Sequence, residues 1–219
     1  MNVVALAAAL LAVAAPGTVK FIVGDVSLKP AGEASRPAKV GDAVAEGAEL
    51  ETSASGRAEV LLPTGSVLRV GEGSHVALTA AQFEKGQPQR FSARVFLGSL
   101  WSRVAALAGS DSFEVETDNA VAGVRGTEFL VEAKPTGDDV SVLKGVVEVR
   151  DRHGAWTHSV HPGEGVSVDS QGKASGVHKL TPGVEAKHPL LRWTRERDAA
   201  REHEKPAKRE KQDRRRGGR

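Results

Sequence analysis

Residues 123–126 read Gly-Val-Arg-Gly, two glycines bracketing one guanidinium. Such a group can cradle a phosphate on exposed backbone N–H groups, or it can let a strand turn tightly. A phosphate clamp draws its donors from helix termini beside the glycines. Here FEVETDNAVA precedes and TEFLVEA follows, both strand-like, and no G-x-G-x-x-G spacing is present. Framework therefore outweighs phosphate binding. Among the seven histidines the closest group is His153, His158 and His161. On a strand His158 and His161 point to opposite faces, and no cysteine completes a ligand set, so no metal site is expected. No Ser sits in a G-x-S-x-G elbow, and Glu114 and Glu116 share one polar strand face as solvated acids. No catalytic residue and no cofactor is expected, and the chain reads as a non-enzyme.

These residues need strands to hold them. FEVET (residues 113–117) alternates strictly, with Phe113, Val115 and Thr117 on one face and Glu114 and Glu116 on the other. TEFLVEA (127–133), VVEVR (146–150) and GVSVD (165–169) repeat the theme, with Phe129 and Val131 inward and Glu128 and Glu132 outward. AEVLLPTGSVLRV (58–70) reads as a hairpin turning at Pro63-Thr64-Gly65-Ser66. One stretch differs: GSLWSRVAALAGS (98–110) places Leu100, Trp101, Val104 and Leu107 at helical spacing, which predicts a short amphipathic helix covering the sheet. The fold class is all-β, an antiparallel sandwich or a short solenoid-like stack of short strands with one short helix, plus a charged C-terminal tail that is helical or disordered.

At 219 residues, with 24 Gly and 4% aromatic residues, the chain accommodates one core and many turns. It has no cysteine, which removes disulfides and thiol chemistry. The overall charge of +2 hides a split, since residues 195–219 hold eleven Lys+Arg against six Asp+Glu and the rest is net acidic. That tail suits anionic envelope polymers or lipid headgroups; its interspersed acids and lack of stacking aromatics weigh against nucleic acid. After Pro182 the only apolar knot is Leu190, Leu191 and Trp193, expected to pack back on the domain, while residues 192–205 lack an apolar stripe and are expected to be solvated. Met1 to Ala15 is an apolar run too short to span a bilayer, with the length of a secretory h-region and Ala12-Val13-Ala14 as a cleavage pattern. It is expected to be a signal peptide or a truncated membrane anchor, placing the protein outside the cytoplasm, periplasmic or secreted. The expected organisation is 1–15 for that leader, 19–181 for a β domain and 182–219 for the basic tail.

VETDNAVAGVRGTEFLVE (115–132) resembles the signature segment of the FecR domain family, carried by Gly123, Val124, Arg125, Gly126, Thr127 and Phe129. Upstream, VGDAVAEGAELETSASGRAEVLLPTGSVLRVGEGSHVAL (40–78) is similar to the family's G-D, G-R-A and G-S-x-L-R elements, and VLKGVVEVRD and VHPGEGVSVD resemble its last strands. The resemblance covers about residues 23–170. It implies an all-β extracytoplasmic domain without catalytic residues, which in founding members is the sensory part of a membrane regulator acting on a sigma factor. For this chain it implies a stand-alone exported protein that binds another envelope protein or senses a signal. Two alternatives stay open: the sensory arm of a sigma-factor regulator with its N-terminal part missing, and a carbohydrate- or peptidoglycan-binding module, which the few aromatics weaken. Within the motif, the glycines permit positive φ or close packing, and Arg125 is expected to pair with Asp118, Glu128 or carbonyl groups.

Overall fold

The computed structural model describes residues 17–84, 87–105 and 112–216; the leader expected at 1–15 lies outside the described residues. In chain order the described elements are β1 (Gly17–Val23), β2 (Val26–Lys29), β3 (Arg36–Pro37), β4 (Ala43–Val44), β5 (Glu49–Thr52), β6 (Arg57–Leu61), β7 (Val67–Val70), β8 (His75–Glu84), β9 (Gln87–Arg103), β10 (Ser112–Glu116), β11 (Ala120–Val124), β12 (Glu128–Lys134), β13 (Gly137–Lys144), β14 (Val147–Asp151), β15 (Thr157–Val160), β16 (Glu164–Asp169), β17 (Ala174–Lys179), α1 (Val184–Lys187) and α2 (Pro189–Arg216).

Hydrogen bonding joins the strands into one sheet folded into two layers. The first layer runs β4-β1-β6-β7-β9-β12-β13-β16-β17. The second runs β3-β2-β5-β8-β9-β10-β11-β14-β15. Period-two alternation explains the assembly: Val60, Leu68, Leu100, Phe129 and Val140 of the first layer meet Leu50, Phe91, Phe113, Val115 and Val149 of the second in one buried core. Phe91 and Phe113 stack at 4.3 Å within it.

The expected all-β class holds, with three differences in detail. The pair β9–β10 is parallel, Phe113 lying beside Phe91 and Val115 beside Ala93. Residues 98–103 are strand, not helix: β9 runs to Arg103, and the remainder of that predicted helix from residue 106 lies outside the described residues. The physical reason is two-sided burial. Leu100 points into the main core while Trp101, its neighbour, is buried in a second cluster on the opposite face, so the stretch shows no polar face and mimics helical spacing. Third, the tail is helical to Arg216, one of the two expected states, but residues 192–205 are not simply solvated: Thr194, Arg197, Asp198 and Arg201 meet the sheet.

Gly98 lets one strand serve both layers. Residues before it pair with β8 and β10, and residues after it pair with β7 and β12. Its φ of +84° and the Ser74 Cα, 2.5 Å from where a Cβ would sit, leave room for glycine alone.

Candidate functional site

Two surfaces concentrate unusual chemistry: the corner that carries residues 123–129, and the outer face of the first layer beneath α2.

At the corner, β11 of the second layer hands the chain to β12 of the first. Val124 is buried, Arg125 is exposed, Gly126 turns the chain at φ +66°, and Thr127 and Phe129 enter the interior at 1% and 0% exposure. The Thr127 carbonyl accepts a hydrogen bond from the Val104 N–H at 2.9 Å, tying the corner to the end of β9. A second layer crossing, from β13 to β14 at Gly145, packs against it: a Cβ on Gly145 would stand 2.8 Å from Thr127 Cγ2. At this corner Gly126 thus makes the turn, and Thr127 and Phe129 pack inside it. Arg125 departs from the expected pairing. Asp118 is bound to Arg94 at 2.6 Å and Glu128 to Arg103 at 2.8 Å, leaving Arg125 with no ion pair among the described residues. Glu114 and Glu116, expected to be solvated, are half-buried and paired with Arg150 and Arg152.

The outer face of the first layer is built around a charged pair. Glu59 on β6 and Arg69 on β7 are directly opposed across their hairpin and are both fully buried, with Arg69 Nε donating to Glu59 Oε2 at 2.8 Å. Isolated charges in such a place would be prohibitive; here each remaining atom meets α2. Arg69 Nη1 donates to the Thr194 carbonyl at 2.9 Å and Nη2 to Asp198 at 2.5 Å. Arg197 and Arg201 reach the other Glu59 oxygen at 3.7 and 3.3 Å. Asp198 also accepts from Arg103 at 2.6 Å. Thr194, Arg197, Asp198 and Arg201 recur every three to four residues, so one helical face presents a polar stripe to the sheet.

Apolar contacts fix the start of that helix. Pro189 opens α2, Leu190, Leu191 and Trp193 are buried against Trp101, Val67 and Leu130, and the Trp193 ring lies 6.3 Å from Phe21 on β1. The Arg69 guanidinium lies over Trp101 at 4.8 Å and Trp193 at 5.8 Å. His188, just ahead of α2, sits 3.2 Å from Glu132 on β12. Burial raises the Asp198 carboxyl, and the guanidinium groups of Arg69 and Arg103 outweigh it, so its pKa falls below the ordinary aspartate value. The hydrogen bond from His188 lowers Glu132 in the same direction against its own burial.

Of the histidine group, His158 lies beside Trp156, ring centroids 5.3 Å apart. The apolar knot Leu190, Leu191, Trp193 is packed as its composition implied. Sequence reasoning missed the Glu59–Arg69 pair; its signal was a lone acid and a lone base at opposed positions of the predicted hairpin.

Residues 48–148 match the family model described as FecR protein. Two crystal structures of a protein from Parabacteroides distasonis ATCC 8503, described as "a putative anti-sigma factor", share the fold. Each has a TM-score of 0.52 and 22% identity, over 62% of this chain. The chain spans 61% of the length of that protein. No curated protein matches the sequence.

Proposed function

We propose that this chain, whose residues 48–148 match the FecR family model, is a non-enzymatic exported protein that works outside the cytoplasm by binding another envelope protein and relaying its state. The family match is the observation that carries this reading. The two-layer body supports it physically, because a wide, hydrogen-bonded scaffold with charged outer faces suits recognition of a protein surface. The apolar leader at 1–15 supports export, and the basic tail supports a further contact with anionic polymers or lipid headgroups.

A second reading is favoured by the likeness to the Parabacteroides protein: a sensory arm in a sigma-factor regulatory system. Its partner would then be the protein that signals to that regulator.

Affinity capture from envelope extract, using the chain from residue 17 on, separates the readings. Stoichiometric recovery of one envelope protein is expected. Retention on peptidoglycan or polysaccharide with no protein partner would overturn the proposal, and a captured receptor linked to sigma-factor control would select the second reading.

A further inference from the structure

We infer that the shallow groove over Gly123, on the open face of the second layer, is the place where a partner protein lays an extended segment and seats a lysine or arginine. This rests on the protein-binding reading above and names the site and the side-chain chemistry.

Gly123 has no structural reason to be glycine. It lies inside β11, is absent from the positive-φ glycines, and an added Cβ would meet only the Glu148 carbonyl oxygen, at 3.8 Å. A strand-interior glycine weakens the strand relative to alanine. Where neither a turn nor crowding requires it, such a glycine marks close approach by another molecule. The groove's walls say which. Glu114 on β10 and Glu148 on β14 are the registered neighbours of Gly123 on either side, so two carboxylates flank a gap floored by backbone. Their strands send Phe113, Val115, Val147 and Val149 into the core, which turns both acids to the open face. Glu114 already holds Arg150 at 3.0 Å, whereas Glu148 is exposed and has no ion pair among the described residues.

One end of the same groove carries Val146, 47% exposed, and Arg125, also without an ion pair among the described residues. The geometry thus offers the open Glu148 carboxylate for a cationic head, a bare backbone floor for its aliphatic stem, an apolar contact and a guanidinium for a carbonyl or carboxylate of the partner. The unpartnered charges of Arg125 and Glu148 are the groups that such a segment would pair.

The test uses a phage-displayed library of random 12-residue peptides, panned on the full chain. Enriched peptides are expected to share a lysine or arginine. Gly123→Leu, which fills the slot, and Glu148→Arg, which reverses its charge, are each expected to weaken them by about tenfold or more with the melting temperature preserved. If Gly123→Leu fails to fold, Glu148→Arg decides alone. Enrichment of peptides without a basic residue, undiminished binding to Glu148→Arg, or no enrichment overturns the groove. Peptides that bind elsewhere would leave the protein-binding reading standing, which fails only in the envelope capture.

Discussion

Arg69 on β7 and Asp198 on α2 lie 129 positions apart in sequence and meet at 2.5 Å, beneath a helix whose contact stripe is polar. The contact makes α2 a strap over the first layer, since the same guanidinium holds Glu59 at 2.8 Å on its other side.

Removing Glu59 should be costly. Glu59→Ala strips Arg69 Nε of its buried acceptor, leaving Asp198 as the carboxylate that the guanidinium still holds, and is expected to lower stability by about 3 kcal/mol, the low end for a broken buried pair. The double replacement Glu59→Leu with Arg69→Met removes both charges and should cost much less than the two single changes together. Urea denaturation of the four proteins measures the cycle; additive losses would show that the two residues are not coupled.

Acid should loosen α2. Asp198 and Glu132 both titrate below their ordinary values in the folded chain. Carboxylates depressed in this way contribute stability that is complete above their unfolded values, about 4, and is lost as pH falls through the lower folded values. Trp101 and Trp193 share the cluster under the helix, so a red shift of tryptophan emission is expected below about pH 4, and Asp198→Asn should remove much of it. Emission unchanged down to pH 2 would count against this coupling.

Three glycines should behave differently. Gly98→Ala forces a side chain into Ser74 at positive φ and is expected to cost about 1–3 kcal/mol. Gly126→Ala, in an ordinary left-handed turn, should cost about 1–2 kcal/mol. Gly123→Thr should cost nothing or stabilise, because a β-branched residue suits an open strand position. Melting temperatures of the three variants rank these claims directly.

Arg125→Ala is expected to leave stability within about 0.5 kcal/mol, as for other surface positions without partners. A clear drop in melting temperature would restore the pairing that its sequence neighbourhood suggests.

What could be read in advance follows from which faces are covered. FEVET was legible because Phe113 and Val115 are buried while Glu114 and Glu116 are not, a plain period of two. Residues 98–103 were illegible because Leu100 and Trp101 are buried on opposite faces, the second by a helix far along the chain. Docking of α2 was legible only at Leu190, Leu191 and Trp193. Beyond them Arg197, Asp198 and Arg201 resemble any solvated helix until Glu59 and Arg69 are known to wait beneath. The corner at 123–129 showed its strands and turn in sequence, but Arg125 lost its expected partners to Arg94 and Arg103, which reach Asp118 and Glu128 first.

β9 bears on how the body comes apart. Because Gln87–Arg103 is hydrogen-bonded to β8 and β10 in one layer and to β7 and β12 in the other, neither layer can be peeled away while keeping the other's middle strand intact. The two layers are a single cooperative unit rather than two stacked ones. Amide protons along the middle of β9 should exchange only through global opening, whereas those of α2 can exchange when the strap alone lifts.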